Sequence, residues 1–376
     1  MQTNWKTIGE SKRYGVSIPL YALHSKTTYG IGEYGELIKL FPWLSSMGFS
    51  VVQLQPVFDT AGLPDPHLPY SAFALNPLFL SLTEIPHSSD KEDLYMQKTI
   101  SYSSASKFKE TLLIKFYYDH GEMVGKSDAF LKFCEENPWL DDYVGLKGRD
   151  PKYHQFVQFL CHQQLKQVKA EAEKHGILLM VEIPTKLQAN SPDVKYHPNW
   201  FTIVEETAEC NWEEMKRDDY SWWKERLQNV SNYFDCCHFD QPVDSEDFFA
   251  QVSNDLSMLL ILNEKEPPTS GLNNTVCPTL TYPNSEQYPD HSLTTLARPT
   301  RSISPDQHQQ LIKQSLTTPS RLHLVPLTTY LSLVPSINWT SSEIEDADRW
   351  SLSIRPSVEK IISDPQLREA IEACLA

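Results

Sequence analysis

Near the start of the chain, the pattern of apolar and polar positions alternates between continuous apolar runs, typical of buried strands, and apolar positions at helical spacing. An apolar run at 14–20 is typical of a buried strand, and apolar residues from Leu37 to Met47 then recur at helical spacing. Gly48 follows where such a helix would end, and a second apolar run occupies 49–56. A strand, an amphipathic helix and another strand form a βαβ unit, which predicts a parallel sheet.

The same alternation continues through the second half of the chain. Apolar strand patterns occur there at 177–183, 233–240 and 256–262. Helical patterns occur at 153–175, 306–316 and 357–375. Residues 267–305 are rich in Pro, Thr, Ser and Asn and contain few apolar runs. A segment of this length without regular structure is unusual inside a compact domain, and its sequence pattern does not determine its structure. Because strands and helices alternate from end to end, we predict an α/β fold: one trimmed (β/α)8 TIM-type barrel domain spanning 1–376.

Residues 85–150 interrupt this alternation. Their pattern is polar and helical, without a convincing strand, and aromatic residues at 116–118 and 139 supply apolar packing surface. We therefore predict a helical insert subdomain within the barrel, placed on its catalytic face.

Composition and charge narrow the class of protein. The net charge of −16 disfavours nucleic-acid binding, which needs clustered Lys and Arg. No apolar run reaches the length of a membrane span, and the first residues carry no apolar leader, so no membrane partner is expected. The 7 cysteines are odd in number and scattered, without the spacing of a metal site or a disulfide framework, which predicts a cytoplasmic protein with no metal.

Two acidic residues follow neighbouring apolar strand patterns. Asp240 closes the run at 233–240, and Glu264 comes shortly after the run at 256–262. In a β/α barrel, residues at the carboxyl ends of the strands face the active-site mouth. Cleavage of a glycosidic bond with retention needs two nearby carboxylates, one as nucleophile and one as general acid/base. The two acids are therefore candidate catalytic groups.

Several motifs, taken in order, resemble the 4-α-glucanotransferases of the amylomaltase type, glycoside hydrolase family 77. The resemblance covers almost the whole chain. Its motifs lie at 15–20 (Gly-Val-Ser-Ile-Pro-Leu), 30–33 (Gly-Ile-Gly-Glu), 53–60 (Gln-Leu-Gln-Pro-Val-Phe-Asp-Thr), 69–77 (Pro-Tyr-Ser to Asn-Pro), 176–184, 211–215 (Asn-Trp-Glu-Glu-Met), 222–226 (Trp-Trp-Lys-Glu-Arg) and 350–356.

Catalytic roles follow from this resemblance one position at a time. The family's nucleophile motif, Phe-Asp-x-x-Arg-x-Asp-His, aligns with 234–241 and implies that Asp240 is the nucleophile. Glu264 is implied to be the general acid/base, although only the Glu of the family's Glu-Asp-Leu-Gly motif is kept. Leu296 and Ala297 stand where the family has His and the catalytic Asp that stabilises the transition state, so both positions are degenerate.

The resemblance also implies residues that contact the sugar. Tyr70 and Asn76 belong to the loop at 69–77 that lines the family's sugar site, and Glu182 replaces the Asp of the family's Gly-Asp-Ile-Pro strand. His238 replaces the family's Arg beside the nucleophile, and its ring cannot form the bidentate contact that Arg makes with a carboxylate.

Two functional hypotheses remain open. In the first, the protein transfers α-1,4-glucan segments between maltooligosaccharides by a retaining double displacement and needs no cofactor. In the second, the missing Arg and Asp leave an impaired or inactive paralogue that serves as an α-glucan-binding or protein-interaction module. The surviving Asp240 and Glu264 favour the first, and the replaced partners favour the second.

Two local patterns have simpler interpretations than function. A metal site at Cys236, Cys237 and His238 is disfavoured, because neighbouring residues of a strand point to opposite faces. Trp222 and Trp223 are predicted to pack a helix on the barrel rather than to bind sugar, since a helix cannot point both rings outward. Tyr70, expected in an exposed loop, is the better candidate for stacking on a sugar ring.

Overall fold

Strands and helices alternate along the chain in the computed structural model, which describes residues 8–9, 11–83, 100–148, 150–241, 243, 248–253, 256–263, 276–282, 293–296, 304–337 and 350–376. The strands in these residues are β1 (Arg13–Ile18), β2 (Phe49–Leu54), β3 (Leu178–Ile183), β4 (Lys186–Gln188), β5 (Phe201–Val204), β6 (Thr207–Cys210), β7 (Cys236–Phe239), β8 (Leu259–Asn263), β9 (Val276–Tyr282), β10 (Leu293–Leu296) and β11 (Leu322–Pro326).

The α-helices lie mostly between strands of the barrel. They are α1 (Tyr34–Ser46), α2 (Tyr102–Gly125), α3 (Asp128–Glu136), α4 (Trp139–Gly145), α5 (Pro151–Lys174), α6 (Pro192–Tyr196), α7 (Trp212–Arg217), α8 (Ser221–Ser231), α9 (Phe248–Val252), α10 (Pro305–Leu316), α11 (Leu327–Leu331), α12 (Val358–Ser363) and α13 (Pro365–Leu375). Short 3-10 helices cover Leu20–Ala22, Pro77–Phe79, Pro198–Trp200 and Pro335–Ile337. None of the helices described is both long and apolar enough to cross a bilayer.

A closed barrel of parallel strands forms the centre of the fold. The strand order is β1-β11-β10-β9-β8-β7-β3-β2, and β1 closes the ring because it pairs in parallel with both β2 and β11. The short strands β4, β5 and β6 form a separate antiparallel sheet beside it. The prediction of a (β/α)8 TIM-type barrel is confirmed.

The barrel has two apolar regions because side chains alternate along each strand. The interior is filled by one cluster of buried residues: Ile8, Val51, Met180, Cys236, Leu259, Ile261, Leu293, Leu322 and Leu324. The residues next to these along the strands, such as Val52, Val181 and Cys237, point outward into a much larger core under the helices. The prediction that Cys236 and Cys237 face opposite sides is confirmed.

Two barrel strands lie where the sequence predicted neither strand nor helix. β9 and β10 both fall inside 267–305, the segment whose structure the sequence pattern left open. β10 is Leu-Thr-Thr-Leu, and its Thr294 hydroxyl donates a hydrogen bond to the Ser320 hydroxyl at 2.7 Å. Threonine is β-branched and suits a strand, but four residues with two hydroxyls give no apolar run to detect.

The helices α2, α3 and α4 supply the insert that the polar pattern predicted. They pack against α5, and the end of the insert reaches the loop that follows β2. There the Tyr143 hydroxyl and the Lys147 ammonium each donate to Asp59 Oδ2 at 2.7 Å. Because this loop lies at the carboxyl end of β2, the insert contacts the carboxyl-end side of the barrel, the face on which it was predicted to lie. The boundary of 85–150 for a separate subdomain stays a prediction.

A buried ion pair joins the insert to the first helix of the barrel. Lys109 of α2 lies 2.8 Å from Glu33, and both side chains are almost completely buried. Lys109 also donates to the carbonyl oxygens of Leu78 at 2.5 Å and Leu80 at 2.8 Å. Glu33 in turn caps α1 through a reciprocal capping box with Glu36. One ammonium group therefore fixes three segments of the chain.

We predict that Lys109→Met destabilises the protein strongly, because Glu33, whose pKa burial already raises to about 7, would lose its buried partner and have to take up a proton, and the carbonyl oxygens of Leu78 and Leu80 would lose their donor. The expected loss in the free energy of unfolding is about 3–5 kcal/mol, measured by chemical denaturation. Lys126→Met is the matched control, since Lys126 pairs with Glu122 at 2.6 Å on the exposed surface. That control should cost less than about 1 kcal/mol. Equal losses in the two variants would contradict this role of Lys109.

Candidate active site at the mouth of the barrel

Polar side chains line the mouth of the barrel at the carboxyl ends of three adjacent strands. Gln53 of β2, Glu182 of β3 and His238 of β7 each lie two residues beyond an apolar residue of the barrel interior, so they too point inward. Asp240 follows His238 by the same step and lies just past the end of β7. The barrel geometry thus brings three of the predicted site residues, Glu182, His238 and Asp240, to one place.

The Asp240 carboxylate is held by one neighbour on the chain segment after β3. Its Oδ1 accepts hydrogen bonds from the backbone N–H of Thr185 at 3.0 Å and from the Thr185 hydroxyl at 3.2 Å. Burial raises the pKa of Asp240 above its ordinary value, and these hydrogen bonds together with the attraction of His67 offset only part of that rise. The carboxylate is oriented, but it depends on nearby donors and positive charge to stay ionised.

His238 is neutral at the mouth of the barrel. The Gln53 side-chain amide lies with Nε2 3.0 Å from His238 Nδ1, and an amide nitrogen can only donate, so Nδ1 accepts and the ring proton sits on Nε2. Burial lowers the pKa of His238, and although Glu182 raises it in part, His67 lowers it further. The residue in the family's Arg position therefore carries no positive charge at neutral pH.

His67 supplies a positive charge that the sequence did not predict. It belongs to the loop after β2, and its Nε2 lies 3.0 Å from Glu182 Oε2 while its Nδ1 lies 3.5 Å from Asp65 Oδ1. Its ring also packs on Trp350, with the ring centroids 5.1 Å apart. Burial lowers the pKa of His67, but hydrogen bonds to Asp65 and Glu182 and the attraction of Asp240 outweigh that effect and raise it to about 9. No periodicity or motif marks this loop histidine.

Arg226 braces the backbone behind the site. It is fully buried and donates to the carbonyl oxygens of Ala72 at 3.2 Å and Pro184 at 2.8 Å. Its guanidinium lies over the ring of Trp223, 4.9 Å from the centroid. Burial lowers the pKa of Arg226 to about 10, so the group stays charged. The Trp-Trp-Lys-Glu-Arg motif therefore stabilises the site, and the prediction that Trp222 and Trp223 pack inward is confirmed, since both are buried.

Tyr70 is not exposed as predicted. Only 8% of the residue is accessible, because the insert covers it: the Tyr143 ring packs edge-on at 6.4 Å and the Lys147 ammonium lies 4.6 Å from the Tyr70 centroid. The expectation of an exposed loop at this position is therefore wrong. A contact between Tyr70 and substrate stays a prediction.

Two further predicted positions, Asn76 and Leu296, are buried and make contacts that support the fold. Asn76 is buried and its Oδ1 accepts from the Leu78 N–H at 3.0 Å, which caps the 3-10 helix at Pro77–Phe79. Leu296 is buried in the core between the barrel and its helices, where it cannot replace a polar group of the site. The predicted acid/base Glu264 and the degenerate position Ala297 lie outside the described residues.

The part of the chain that the structure describes contains no group of three or more His, Cys, Asp or Glu side chains arranged to hold a metal ion. The acidic and imidazole groups at the barrel mouth are instead satisfied by one another and by neighbouring amides. The chemistry that this arrangement supports is acid–base or nucleophilic chemistry by carboxylates.

Comparison with known sequences identifies relatives across the chain. A family model described as 4-alpha-glucanotransferase matches residues 18–148 and 146–209. A 4-alpha-glucanotransferase of Chlamydia pneumoniae is 30% identical over 299 residues, covering 64% of this chain and 57% of that protein. One of Chlamydia muridarum is 22% identical over 504 residues, covering 98% of this chain and 96% of that protein. The first alignment thus spans just over half of the relative's length, and the family match ends before β7.

Solved structures share the fold over nearly the whole chain. An amylomaltase from Streptococcus agalactiae in complex with acarbose superposes with a TM-score of 0.75 at 15% identity, covering 97% of this chain and 99% of that one. An amylomaltase from Corynebacterium glutamicum gives a TM-score of 0.80 at 13% identity, covering 100% of this chain and 76% of that one. At these identities the likeness concerns the barrel architecture.

We predict that Thr185→Val raises the pKa of Asp240 further. The variant removes a hydroxyl that donates to the ionised carboxylate but keeps the side-chain shape and the backbone donor. Titration of the Asp240 carboxyl carbon by NMR measures the change. Thr202→Val, on the exposed strand β5, is the control and should leave the titration where it is. An unchanged or lower pKa of Asp240 in Thr185→Val would show that the hydroxyl does not stabilise the charge.

Proposed function

The chain belongs to the 4-alpha-glucanotransferase family, and on that premise we propose that it transfers α-1,4-glucan segments between maltooligosaccharides by a retaining double displacement. The observation that carries the proposal is the position of Asp240. It lies at the carboxyl end of a barrel strand, faces the mouth, and has one carboxylate oxygen fixed by two donors of Thr185.

In the first step Asp240 attacks the anomeric carbon of the donor sugar. The bond from that carbon to the glycosidic oxygen breaks, and the leaving glucan takes a proton from Glu264. A covalent glycosyl-enzyme and a shortened glucan result. In the second step the 4-hydroxyl of an acceptor sugar attacks the same carbon, Glu264 takes the hydroxyl proton, and Asp240 is released. No electrons are exchanged overall, so we propose no cofactor.

The position of Glu264 along the chain supports its proposed role. It is the next residue in sequence after β8, and β8 is the barrel strand that pairs with β7 in parallel. Two acidic residues that follow adjacent parallel strands both belong to the carboxyl end of the barrel. A retaining pair requires its two carboxyl groups to be close together in this way. The proposal therefore assigns nucleophile and acid/base to neighbouring strands.

The replaced positions predict a weak enzyme. Loss of one preorganised polar group in such a site typically costs about 10²–10³ in rate. Leu296 is buried in the core, and His238 is neutral, so neither provides the polar contact that the family's motif has there.

A cytoplasmic location also stays a proposal, supported by the six described cysteines, none of which forms a disulfide.

We predict that Asp240→Asn abolishes the disproportionation of maltotriose, with a loss of at least about 10³-fold in rate because the nucleophile is removed. Release of glucose and appearance of longer maltodextrins measure the activity. Asp235→Asn is the matched control. It makes the same change at the opposite end of β7, where Asp235 binds Lys169 at 2.6 Å, and should lower stability without lowering activity.

Two results would overturn the proposed function. One is a wild-type protein that produces no glucose and no longer glucan from maltotriose even at high protein concentration. The other is an Asp240→Asn variant as active as the wild type. Titration calorimetry with maltoheptaose would then test the second hypothesis, a barrel that binds α-glucan without catalysis.

A further inference from the structure

The barrel mouth holds more negative than positive charge in the described residues. The carboxylates of Asp65, Glu182 and Asp240 all act on one imidazole, that of His67, from the loop after β2, from β3 and from the end of β7. The other titratable groups that act on these carboxylates are His238, which lies 3.9 Å from Glu182 through Nδ1, and the buried Arg226, which attracts Asp240 from behind the site while it donates to the Ala72 and Pro184 carbonyl oxygens. A site that needs an ionised nucleophile among several carboxylates also needs a cation nearby.

His238 cannot be that cation. Its Nδ1 accepts from the Gln53 amide, which protonation of that nitrogen would destroy. The ring is buried, and the positive charge of His67 disfavours a second positive charge on it. The position that is Arg in the family's motif is therefore neutral in this chain.

The geometry of His67 favours a protonated ring. Its Nε2 faces a carboxylate oxygen of Glu182, and its Nδ1 faces a carboxylate oxygen of Asp65. Ionised carboxylates only accept hydrogen bonds, so an imidazole placed between two of them is satisfied when both nitrogens carry protons. Contact with the Trp350 ring, 5.1 Å between centroids, holds the imidazole in this position.

We propose that His67 is a positioning residue of this active site: an imidazolium from the loop after β2 that anchors Glu182 and keeps Asp240 ionised, in place of the arginine missing at 238. The inference deepens the proposed function and rests on it for the meaning of the site. It differs from an arginine in one measurable respect, because histidine loses its charge at alkaline pH and arginine does not.

A pH window follows from the two groups. Asp240 must be ionised to attack, so activity falls as the pH drops through its pKa, which burial raises. His67 must be protonated to support it, so activity also falls as the pH rises through the pKa of His67, about 9. The charges that face His67 in the described residues are those of Asp65, Glu182 and Asp240, with His238 neutral beside them.

The first experiment needs no activity. Titration of the histidine ring carbons by NMR should show His67 titrating near pH 9 in the wild type. Asp240→Asn and Glu182→Gln should each lower the pKa of His67, because each removes a carboxylate charge that favours the imidazolium. His175, which pairs with Glu171 at 3.2 Å elsewhere on the surface, is the internal control and should not respond. A His67 that titrates near 6.5, or ignores both variants, overturns the proposal.

The second experiment measures the pH profile of maltotriose disproportionation. His67→Gln should lower the rate by about 10-fold or more at neutral pH, because a charged donor near the nucleophile is lost. His67→Arg should restore part of the rate and remove the alkaline decline, a result that a purely structural role would not give. His175→Gln should keep the wild-type profile. A His67→Gln variant with an unchanged profile overturns the proposal.

The two experiments separate the two ideas. If the wild type is inert but His67 responds to Asp240→Asn in the titration, the proposed function fails and the electrostatic role of His67 stands. If the wild type is active but His67→Gln has the wild-type rate and profile, the function stands and the role of His67 fails.

Discussion

Closure of a parallel barrel is the constraint on which the site depends. β1 is bonded on both sides, to β2 and to β11, so every strand has a fixed register against two neighbours. Because side chains alternate along a strand, that register decides which residues enter the barrel. It sends the apolar residues of the interior cluster to the middle and Gln53, Glu182, His238 and Asp240 to the mouth. A shift of one residue in β7 would turn both His238 and Asp240 outward.

Electrostatics at the mouth follow from how deeply each group is buried. Removal from water favours the neutral form of every ionisable side chain, so the pKa of Asp240 rises and that of His238 falls. His67 is an exception because two carboxylates face its two nitrogens, and their attraction outweighs burial. The positive charge that the family's motif places on β7 at position 238 is thus supplied in this chain by His67, on the loop after β2. A residue's position in a motif therefore does not fix its charge.

Residues around the site are held by packing that reaches far from it. The loop after β2 is tied to the insert through Asp59, which accepts from Tyr143 and Lys147. Arg226 ties that same loop, at Ala72, to Pro184 beside the site. The insert in turn is joined to α1 by the buried Lys109–Glu33 pair. The loop that carries His67 is therefore supported on several sides, and this support is what a fixed distance between His67 and Glu182 requires.

The sequence by itself determined the barrel, the family and the position of Asp240, because period-2 and period-3.6 patterns and ordered motifs are local properties of the chain. It missed β9 and β10, since their short threonine-containing strands form only through pairing with neighbours, and it placed Tyr70 in solvent where the insert covers it. Only the tertiary structure decided that His238 is neutral and that His67 is charged. Those states depend on burial and on carboxylates distant in sequence, which no local pattern records.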